Sequence, residues 1–221
     1  MNAMVDAGEP DVAKAGGCDV AGVAAAVVDA IATEGFAIVA DAVPPQPVIA
    51  LRERARLLDV RGELVAAGIG RGASRVARRD IRGDRIHWLD QAHPAAAEAI
   101  AWRLFDALRE ALNRSLMLGL WSFEGHYALY PPGAVYARHR DVFRGDDARV
   151  VSCILYLNDH WHAEEGGALR LHLGDGERTD VLPQGGTLVA FLSGRFEHEV
   201  LAATRPRLAL TGWFRRREPG L

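Results

Sequence analysis

Three features are scarce or absent in this chain of 221 residues. Lysine occurs once, at Lys14, although lysine and arginine together number 26, and cysteine occurs only at Cys18 and Cys153. Two cysteines are too few for a disulfide framework, so a reducing, cytoplasmic setting is expected. The sequence shows no apolar run as long as a membrane span and no basic and apolar leader of the signal-peptide kind. We therefore expect neither a membrane protein nor a disulfide-stabilised secreted domain.

Charge and hydrophobic content are those of an ordinary globular protein. The formal net charge of −3 argues against a general nucleic-acid partner. Hydrophobic residues make up 49% and charged residues 25%, and the length suffices for one domain with a sizeable core. Arginine in place of lysine, with abundant alanine and glycine, is typical of a GC-rich bacterial coding sequence. The composition thus predicts one domain and excludes no particular enzyme class.

The N-terminal half is predicted to be mainly helical. Residues 1–18 lack periodicity and predict a disordered tail. Apolar spacing, glycine stops and proline-rich boundaries then predict a series of elements. They are helices at 19–34, about 47–65 and 94–116, a buried strand at 35–43, an exposed Gly- and Arg-rich loop at 68–79, and a hairpin or bent strand at 80–90.

The C-terminal half changes to short alternating segments separated by Gly, Pro and Asp turns. Eight strands are predicted, at 123–130, 135–141, 149–157, 168–173, 178–183, 187–192, 197–202 and 207–216. This order predicts an α+β fold: a double-stranded β-helix (jelly-roll, cupin-like) core with supporting N-terminal helices. We expect one domain over 19–221, with helical support at 19–120 and the catalytic core at 121–216.

Two histidines and one aspartate are candidate metal ligands. His139 and Asp141 lie two positions apart in YARHRD, and His198 follows much later in FEHEV. Residues i and i+2 of a strand point to one face, and a jelly roll can bring a late strand opposite an early one. Two imidazoles and one carboxylate, with open positions beside them, form the ligand set of non-haem Fe(II) oxygenases. A structural zinc site would use four ligands, with thiolates among them, and neither cysteine is near.

The other histidines have weaker patterns. A His-X-Asp triplet alone occurs often by chance. The downstream histidine and the strand-rich context are therefore what favour a metal site over a structural role. The competing pair, His160 and His162, lies in an acidic, glycine-bounded segment that predicts a solvated loop. The remaining four show no partner pattern and are expected at the surface or packed in the core: His87, His93, His126 and His172.

Five collinear segments between about residues 80 and 215 resemble the 2-oxoglutarate- and Fe(II)-dependent oxygenases. The resemblance is closest to prolyl hydroxylases of the hypoxia-inducible-factor type and their bacterial relatives, and it covers more than half of the chain. The segments are DIRGDRIHWLD (80–90), YALYPPGAVYARHRD (127–141), RVVSCILYLNDHW (149–161), GGALRLH (166–172) and HEVLAATRPRLALTGWF (198–214).

The resemblance implies how the metal and the co-substrates are held. His139, Asp141 and His198 would ligate Fe(II). Arg207 would form a two-pronged ion pair with the distal carboxylate of 2-oxoglutarate, and Tyr156 would donate its hydroxyl to the same carboxylate. Dioxygen is the second co-substrate and ascorbate a supporting reductant. The resemblance also implies further pocket residues, namely Tyr130 towards the metal-proximal end and Ile154, Leu169 and Thr211 along the wall.

A second group would contact the substrate. The resemblance implies that Tyr136 and Arg149 touch a peptide near its target proline, that Trp213 lies near the metal and the entering substrate, and that Arg82 and Asp84 help to shape the entrance. From the residues alone, Tyr156, Ile154, Leu169 and Trp213 could equally be core, and Arg82–Asp84 a surface turn. Arg205 and Arg207 both flank Pro206, and the family spacing from His198 favours Arg207.

These residues predict a dioxygenase that couples decarboxylation of 2-oxoglutarate, to succinate and carbon dioxide, to hydroxylation of a prolyl residue in a protein. By analogy with bacterial relatives, a translation-apparatus protein is a candidate partner. Two alternatives stay open: an oxygenase of a small molecule or free amino acid, with residues 70–85 as a lid, and a non-catalytic sensor of iron and 2-oxoglutarate. The complete triad and Arg207 argue against the sensor.

Overall fold

The computed structural model describes residues 18–68, 78, 80–142 and 148–217. The predicted tail, apart from its last residue, and nearly all of the predicted loop at 68–79 lie outside the described residues. Cys18, assigned to the tail, is instead half buried, and its thiol donates to the carbonyl of Ala42 at 3.1 Å. Cys18 therefore packs against the domain that was predicted to start at residue 19.

Three helices precede most of the sheet. Helix α1 (Val20–Thr33) begins where the Asp19 side chain accepts a hydrogen bond from the Gly22 amide at 2.9 Å. Helix α2 (Pro45–Val60) has proline at its first position, where no backbone donor is lost. A 3₁₀ turn at Ala96–Glu98 leads into α3 (Ala99–Leu116), which ends at the left-handed Met117. All three predicted helices are present, but α2 ends at Val60 and not at residue 65.

Eleven strands form two sheets within the described residues. The strands are β1 (Phe36–Val39), β2 (Val65–Ala66), β3 (Arg85–Trp88), β4 (Leu120–Tyr130), β5 (Tyr136–His139), β6 (Arg149–Tyr156), β7 (Leu169–Gly174), β8 (Glu177–Val181), β9 (Leu188–Leu192), β10 (Glu197–Val200) and β11 (Arg207–Arg216). The larger sheet has the order β1-β9-β6-β11-β4-β3-β2, and the smaller has the order β5-β10-β7-β8. All the pairings in both sheets are antiparallel.

The larger sheet has a hydrophobic core on each face, because side chains alternate along its strands. Leu208, Leu210 and Phe214 of β11 belong to the core that packs against the three helices. Ala209 lies on the opposite face, in the core shared with the smaller sheet. The rings of Phe105 on α3 and Phe123 on β4 stack with centroids 4.1 Å apart and join α3 to the sheet. The opposite, inner face of the larger sheet therefore faces the smaller sheet.

The predicted class, a double-stranded β-helix with N-terminal helices, is confirmed. The region 19–120 contributes more than helical support, because β1, β2 and β3 extend the larger sheet. The two-residue β2 was not predicted, since so short a strand carries no periodicity. None of the described helices is both long and apolar enough to cross a bilayer.

Candidate metal centre

His139 and His198 meet because two strands pair. β5 and β10 are antiparallel neighbours in the smaller sheet, and their register sets His139 directly opposite His198. The two imidazole centroids are 4.2 Å apart. Together with Asp141, they offer ligand atoms that all lie within 4.8 Å of one another. Sequence-distant residues therefore converge as predicted.

Asp141 reaches the cluster from outside the strand. The prediction placed it on the same strand as His139, but β5 ends at His139 and the chain turns away two residues later. The Asp141 carboxylate lies 3.5 Å from Nε2 of both histidines. It also accepts a 2.6 Å hydrogen bond from Ser152 Oγ, which in turn lies 2.9 Å from Ser193 Oγ. Contact with β6, and not strand alternation, therefore orients this carboxylate.

The surroundings of Asp141 and His198 favour an anionic aspartate beside a neutral His198 imidazole. Burial by itself raises the pKa of Asp141, but the adjacent His198 and His139 and the hydrogen bond from Ser152 outweigh burial and hold that pKa well below its usual range. Burial is also the main cause that lowers the pKa of His198, to about 4. A carboxylate and two unprotonated imidazoles are the protonation states that a metal ligand requires.

The orientation of His139 also fits a metal. Its Nδ1 lies 2.7 Å from the carbonyl of Ala137, so Nδ1 carries the proton and Nε2 keeps its lone pair for the cluster. The ring stacks on Tyr136 at a centroid distance of 3.6 Å. These contacts hold the ring in place, and the donor set suits one ion of the Fe(II) type.

Arg207 is a buried cation on the inner face of the larger sheet. It is 2% exposed, and Nε donates to the carbonyl of Gly167 at 2.8 Å. Its Nη2 lies 3.5 Å from the Tyr156 hydroxyl. No carboxylate among the described residues forms an ion pair with Arg207. A buried guanidinium without a counter-charge is costly, so this position is suited to an anionic ligand.

The predicted wall residues surround Arg207. Tyr130, Ile154, Tyr156 and Leu169 are buried in the inner core. Thr211 is half buried and pairs with Ile154 in the β11–β6 register. Tyr130, however, lies directly opposite Arg207 in the β11–β4 register, with its ring 5.2 Å from the guanidinium carbon. Tyr130 thus contacts Arg207, and its place at the metal-proximal end stays a prediction.

Trp213 lies towards the metal. It pairs in register with Ser152, the residue that holds Asp141. Arg149 stacks over the Trp213 ring at 3.6 Å, and its Nε donates to Glu124 at 2.8 Å. The same Glu124 accepts from Arg215 at 3.0 Å. Arg149 is thus fixed over the indole by a carboxylate that sequence patterns did not indicate.

The Arg82–Asp84 pair is buried and is not a surface turn. Arg82 donates two hydrogen bonds to Asp84, at 2.7 and 2.9 Å, and the Asp84 side chain is fully buried. The Arg82 guanidinium also lies 4.8 Å from the Tyr136 ring. Tyr136 stacks on His139. The ion pair therefore contacts the metal cluster indirectly, with the Tyr136 ring between them.

Other candidates lie away from the cluster. Arg205, the rival of Arg207, pairs with Glu165 at 2.6 Å and covers the Trp161 ring. His160 has a side chain that is 91% exposed, and His162 is also exposed, which agrees with a solvated loop. The structure therefore distinguishes the two arginines by burial, which the sequence alone could not do.

Sequence patterns did not indicate two further residues near the site, Ser152 and His126. Ser152, the support of Asp141, shares the two-residue periodicity of Ile154 and Tyr156, and that signal could have placed it on the inner face. His126 is 1% exposed, and Nδ1 donates to the carbonyl of Tyr127 at 3.1 Å while Nε2 has no partner among the described residues. Its ring centroid is 5.7 Å from that of Trp213. The pairing of His126 with Thr211 places it on the inner face.

The fold and the cluster define a class of protein: a double-stranded β-helix with a His-Asp-His site for one divalent metal. Residues 125–215 match the model of the 2OG-Fe(II) oxygenase superfamily. The human protein named prolyl hydroxylase EGLN3 is 34% identical over 170 residues, which cover 73% of this chain and 70% of that protein. The chain therefore belongs to the 2OG-Fe(II) oxygenase superfamily and is homologous to the Egl nine prolyl hydroxylases.

Solved structures agree with this assignment. A Pseudomonas putida prolyl-4-hydroxylase is 49% identical, with a TM-score of 0.79 and coverage of 88% of this chain and 100% of that chain. A Trichoplax adhaerens prolyl hydroxylase, solved with a peptide of a hypoxia-inducible-factor degradation domain, is 27% identical with a TM-score of 0.79, and the match covers 89% of this chain and 90% of that one. The chain spans only 33% of human Egl nine homolog 1, to which it is 35% identical over 146 residues (62% of this chain).

Proposed function

We propose that the protein is a 2-oxoglutarate- and Fe(II)-dependent dioxygenase that hydroxylates a prolyl residue of a protein substrate. One observation carries the proposal. The His139–Asp141–His198 cluster and Arg207 border the same core between the two sheets, because Phe191 contacts His198 while Tyr130 and Tyr156 flank Arg207. Arg207 is buried there without a carboxylate partner among the described residues. A metal site and an anion site in one pocket are what a metal-chelated diacid requires.

His139, Asp141 and His198 would hold the iron. When bound, the iron supplies the redox chemistry that couples decarboxylation of 2-oxoglutarate to insertion of one oxygen atom into a C–H bond. The protein supplies geometry: Ser152 orients the Asp141 carboxylate, and the Ala137 carbonyl orients the His139 ring. Buried side chains around the cluster, including Phe191 against His198 at 4.7 Å, exclude water.

Arg207 would bind the distal carboxylate of 2-oxoglutarate. Its Nε is occupied by the Gly167 carbonyl and Nη2 also donates to Tyr156, so each terminal nitrogen keeps at least one N–H for a two-pronged ion pair. The Tyr156 hydroxyl accepts from Arg207, so its own proton is free to be donated to the same carboxylate. Burial raises the pKa of Tyr156 and keeps that proton in place. A ligand that lacks the second carboxylate would leave the buried Arg207 without a counter-charge, and the apolar wall of Ile154 and Leu169 makes that costly.

The choice of a prolyl substrate rests on the relatives and on the pocket mouth. Human EGLN3 is named a prolyl hydroxylase, and the Trichoplax enzyme was solved with a peptide. Here Arg149 covers the Trp213 ring, and Arg82 and His139 flank the Tyr136 ring. The two guanidinium groups would bind peptide carbonyls or acidic side chains next to the target proline.

The test uses labelled 2-oxoglutarate and cell lysate. Wild-type protein with Fe(II) and ascorbate should form succinate and add one oxygen to a proline of a lysate protein, as detected by mass spectrometry. His198→Ala should abolish both while the circular dichroism spectrum stays native, and the exposed His160→Ala serves as the control. Full turnover by His198→Ala, or oxidation of free amino acids alone, would refute the proposal.

The identity of the partner and the compartment are further proposals. A translation-apparatus protein in the bacterial cytoplasm remains our prediction for the partner. Its support is the bacterial relative at 49% identity and the presence of two free cysteines, with no disulfide in the described residues. Enrichment of a hydroxylated translation factor in the same mass-spectrometric experiment would support it.

A further inference from the structure

A second cavity lies behind the candidate site, on the opposite face of the larger sheet. It has a volume of about 350 Å³, and Leu129 and Leu208 form part of its wall. These two leucines pair in the β4–β11 register and belong to the core on the helix side. Their sequence neighbours Tyr130 and Arg207 face the inner pocket. The sheet therefore separates this cavity from the candidate metal centre.

The lining of this cavity is rich in arginine. Four arginines, at positions 52, 56, 85 and 205, line it against two aspartates, Asp59 and Asp159. Three of the arginines have close carboxylate partners, at 2.6 to 2.8 Å: Arg85 with Asp59, Arg205 with Glu165, and Arg56 with Glu53. The fourth, Arg52, has no such partner.

Arg52 is the unusual member. It is 9% exposed as a whole residue, and its nearest carboxylates lie at 3.7 Å (Asp159) and 4.0 Å (Glu53), beyond hydrogen-bond distance. Asp159 is itself 63% exposed, and Glu53 already accepts from Arg56. Arg52 Nε has no hydrogen-bond partner among the described residues. A guanidinium carries five donors, and burying them unmatched is costly.

We infer that this cavity binds a small organic anion through Arg52. A carboxylate or a phosphate matches the planar fork of a guanidinium and would pair with Arg52, whose own carboxylate neighbours lie beyond hydrogen-bond distance. Leu129, Leu208 and Pro206 provide apolar wall, which suits a ligand with an apolar body beside its charge. The volume falls within the range of roughly 300–1,000 Å³ usual for small-molecule sites.

Calorimetric titration under anaerobic conditions tests the inference. The protein is first loaded with Fe(II) and saturating 2-oxoglutarate, so that anions cannot enter the Arg207 pocket. The probes are phenyl phosphate, benzoate and inorganic phosphate, with benzyl alcohol as the uncharged comparison. At least one aromatic anion should bind with one-to-one stoichiometry, and the phosphate and carboxylate arms identify the preferred head group. Binding of none of the anions, or equal binding of benzyl alcohol, would overturn the inference.

Arg52 variants locate the binding. Arg52→Met should weaken it by about ten-fold or more, because a charge-assisted hydrogen-bond pair is lost. Arg52→Lys keeps the charge without the planar fork and should weaken binding less, and it remains informative if the methionine variant fails to fold. The control Arg170→Met removes a similarly shielded arginine that pairs with Asp180 on the smaller sheet and should bind as wild type. Wild-type affinity in the folded Arg52 variants would refute the assignment.

Discussion

Two buried arginines near the pocket differ in what neutralises them. Arg82 has a complete partner in the fully buried Asp84, with two hydrogen bonds between them. Arg207 is as deeply buried but contacts only a carbonyl and a tyrosine hydroxyl among the described residues. Removing either partner of a satisfied pair leaves a buried charge behind, whereas removing Arg207 leaves none. The two positions should therefore respond differently to mutation.

Arg207→Ala should raise the KM for 2-oxoglutarate on the order of 100-fold, since a bidentate ion pair is lost. The iron requirement should change little, because no metal-cluster residue contacts Arg207 in the described structure. Succinate formation measured against each component separately would show this. Arg205→Ala, which removes an arginine paired with Glu165, should leave the KM for 2-oxoglutarate unchanged. Equal loss for iron and co-substrate would indicate unfolding and contradict the assignment.

His126 should make the stability of the protein depend on pH. Burial lowers its pKa from 6.5 to about 4. Between these values the unfolded chain binds more protons, so the contribution is complete above pH 6.5 and is lost as the pH falls towards 4. His126→Met should therefore reduce the stability lost between pH 7 and pH 4 by up to about 3 kcal/mol.

Urea unfolding of the metal-free protein at several pH values measures this difference. The exposed His160→Met is the control and should keep the wild-type pH dependence. Because His198 is buried with a similar shift, some acid sensitivity should remain in the His126 variant. Parallel curves for His126→Met and wild type would show that this imidazole does not contribute.

At the scale of elements, strand pairing and one tight turn assemble the site. The β5–β10 register brings His139 opposite His198, and the β11–β6 register brings Trp213 opposite Ser152. The turn before β7 supplies the carbonyl of Gly167 that holds Arg207. Gly167 has a φ of +72°, which favours glycine. An added Cβ would lie 2.9 Å from the Ala203 methyl and 3.0 Å from the Trp161 ring.

Gly167→Ala should therefore cost about 1–3 kcal/mol of unfolding free energy and weaken 2-oxoglutarate binding, because the turn must shift away from Arg207. Gly133→Ala is the matched control, since Gly133 has a φ of +77° but open space around its Cβ position. That control should show backbone strain alone, with unchanged 2-oxoglutarate affinity. Denaturant unfolding and calorimetry give the two readouts, and equal effects of both substitutions on affinity would contradict the role of the Gly167 turn.

At the scale of the whole molecule, the candidate ligands connect the two sheets. His139 and His198 belong to the smaller sheet, Arg207 belongs to the larger one, and Asp141 is held by Ser152 of β6 in the larger sheet. A metal-chelated diacid would therefore bridge both layers of the sandwich. Ligands that bind only the folded state raise its stability by mass action.

Iron with 2-oxoglutarate under anaerobic conditions should raise Tm by about 5–10 °C at roughly one hundred times Kd, for a domain of this size. 2-Oxoglutarate without metal should give a much smaller shift, and a chelator should reverse the effect. His139→Ala should lose the combined shift in scanning calorimetry. An undiminished shift in that variant would place 2-oxoglutarate binding outside the proposed site.

The helices and most strands were predictable because local periodicity determines them. The apolar spacing of α1 and α3 and the short apolar runs of β6, β9 and β11 can be seen in consecutive residues. Site residues were predictable where a motif carried them, as with His139 and Arg207. Ser152, Glu124 and His126 were missed because their roles arise from contacts between strands. No local pattern marks a serine as the support of a carboxylate eleven residues earlier.

The sequence by itself determined the element order, the fold class and the identity of the three candidate metal ligands, because short-range periodicity and one ordered set of motifs encode them. Only the tertiary structure decided that Arg207 is buried without a carboxylate partner among the described residues while Arg205 pairs with Glu165, that Tyr130 lies opposite Arg207, and that Arg52 lines a second cavity. Burial and charge pairing depend on which distant segments pack together, and that information is absent from any local stretch of chain.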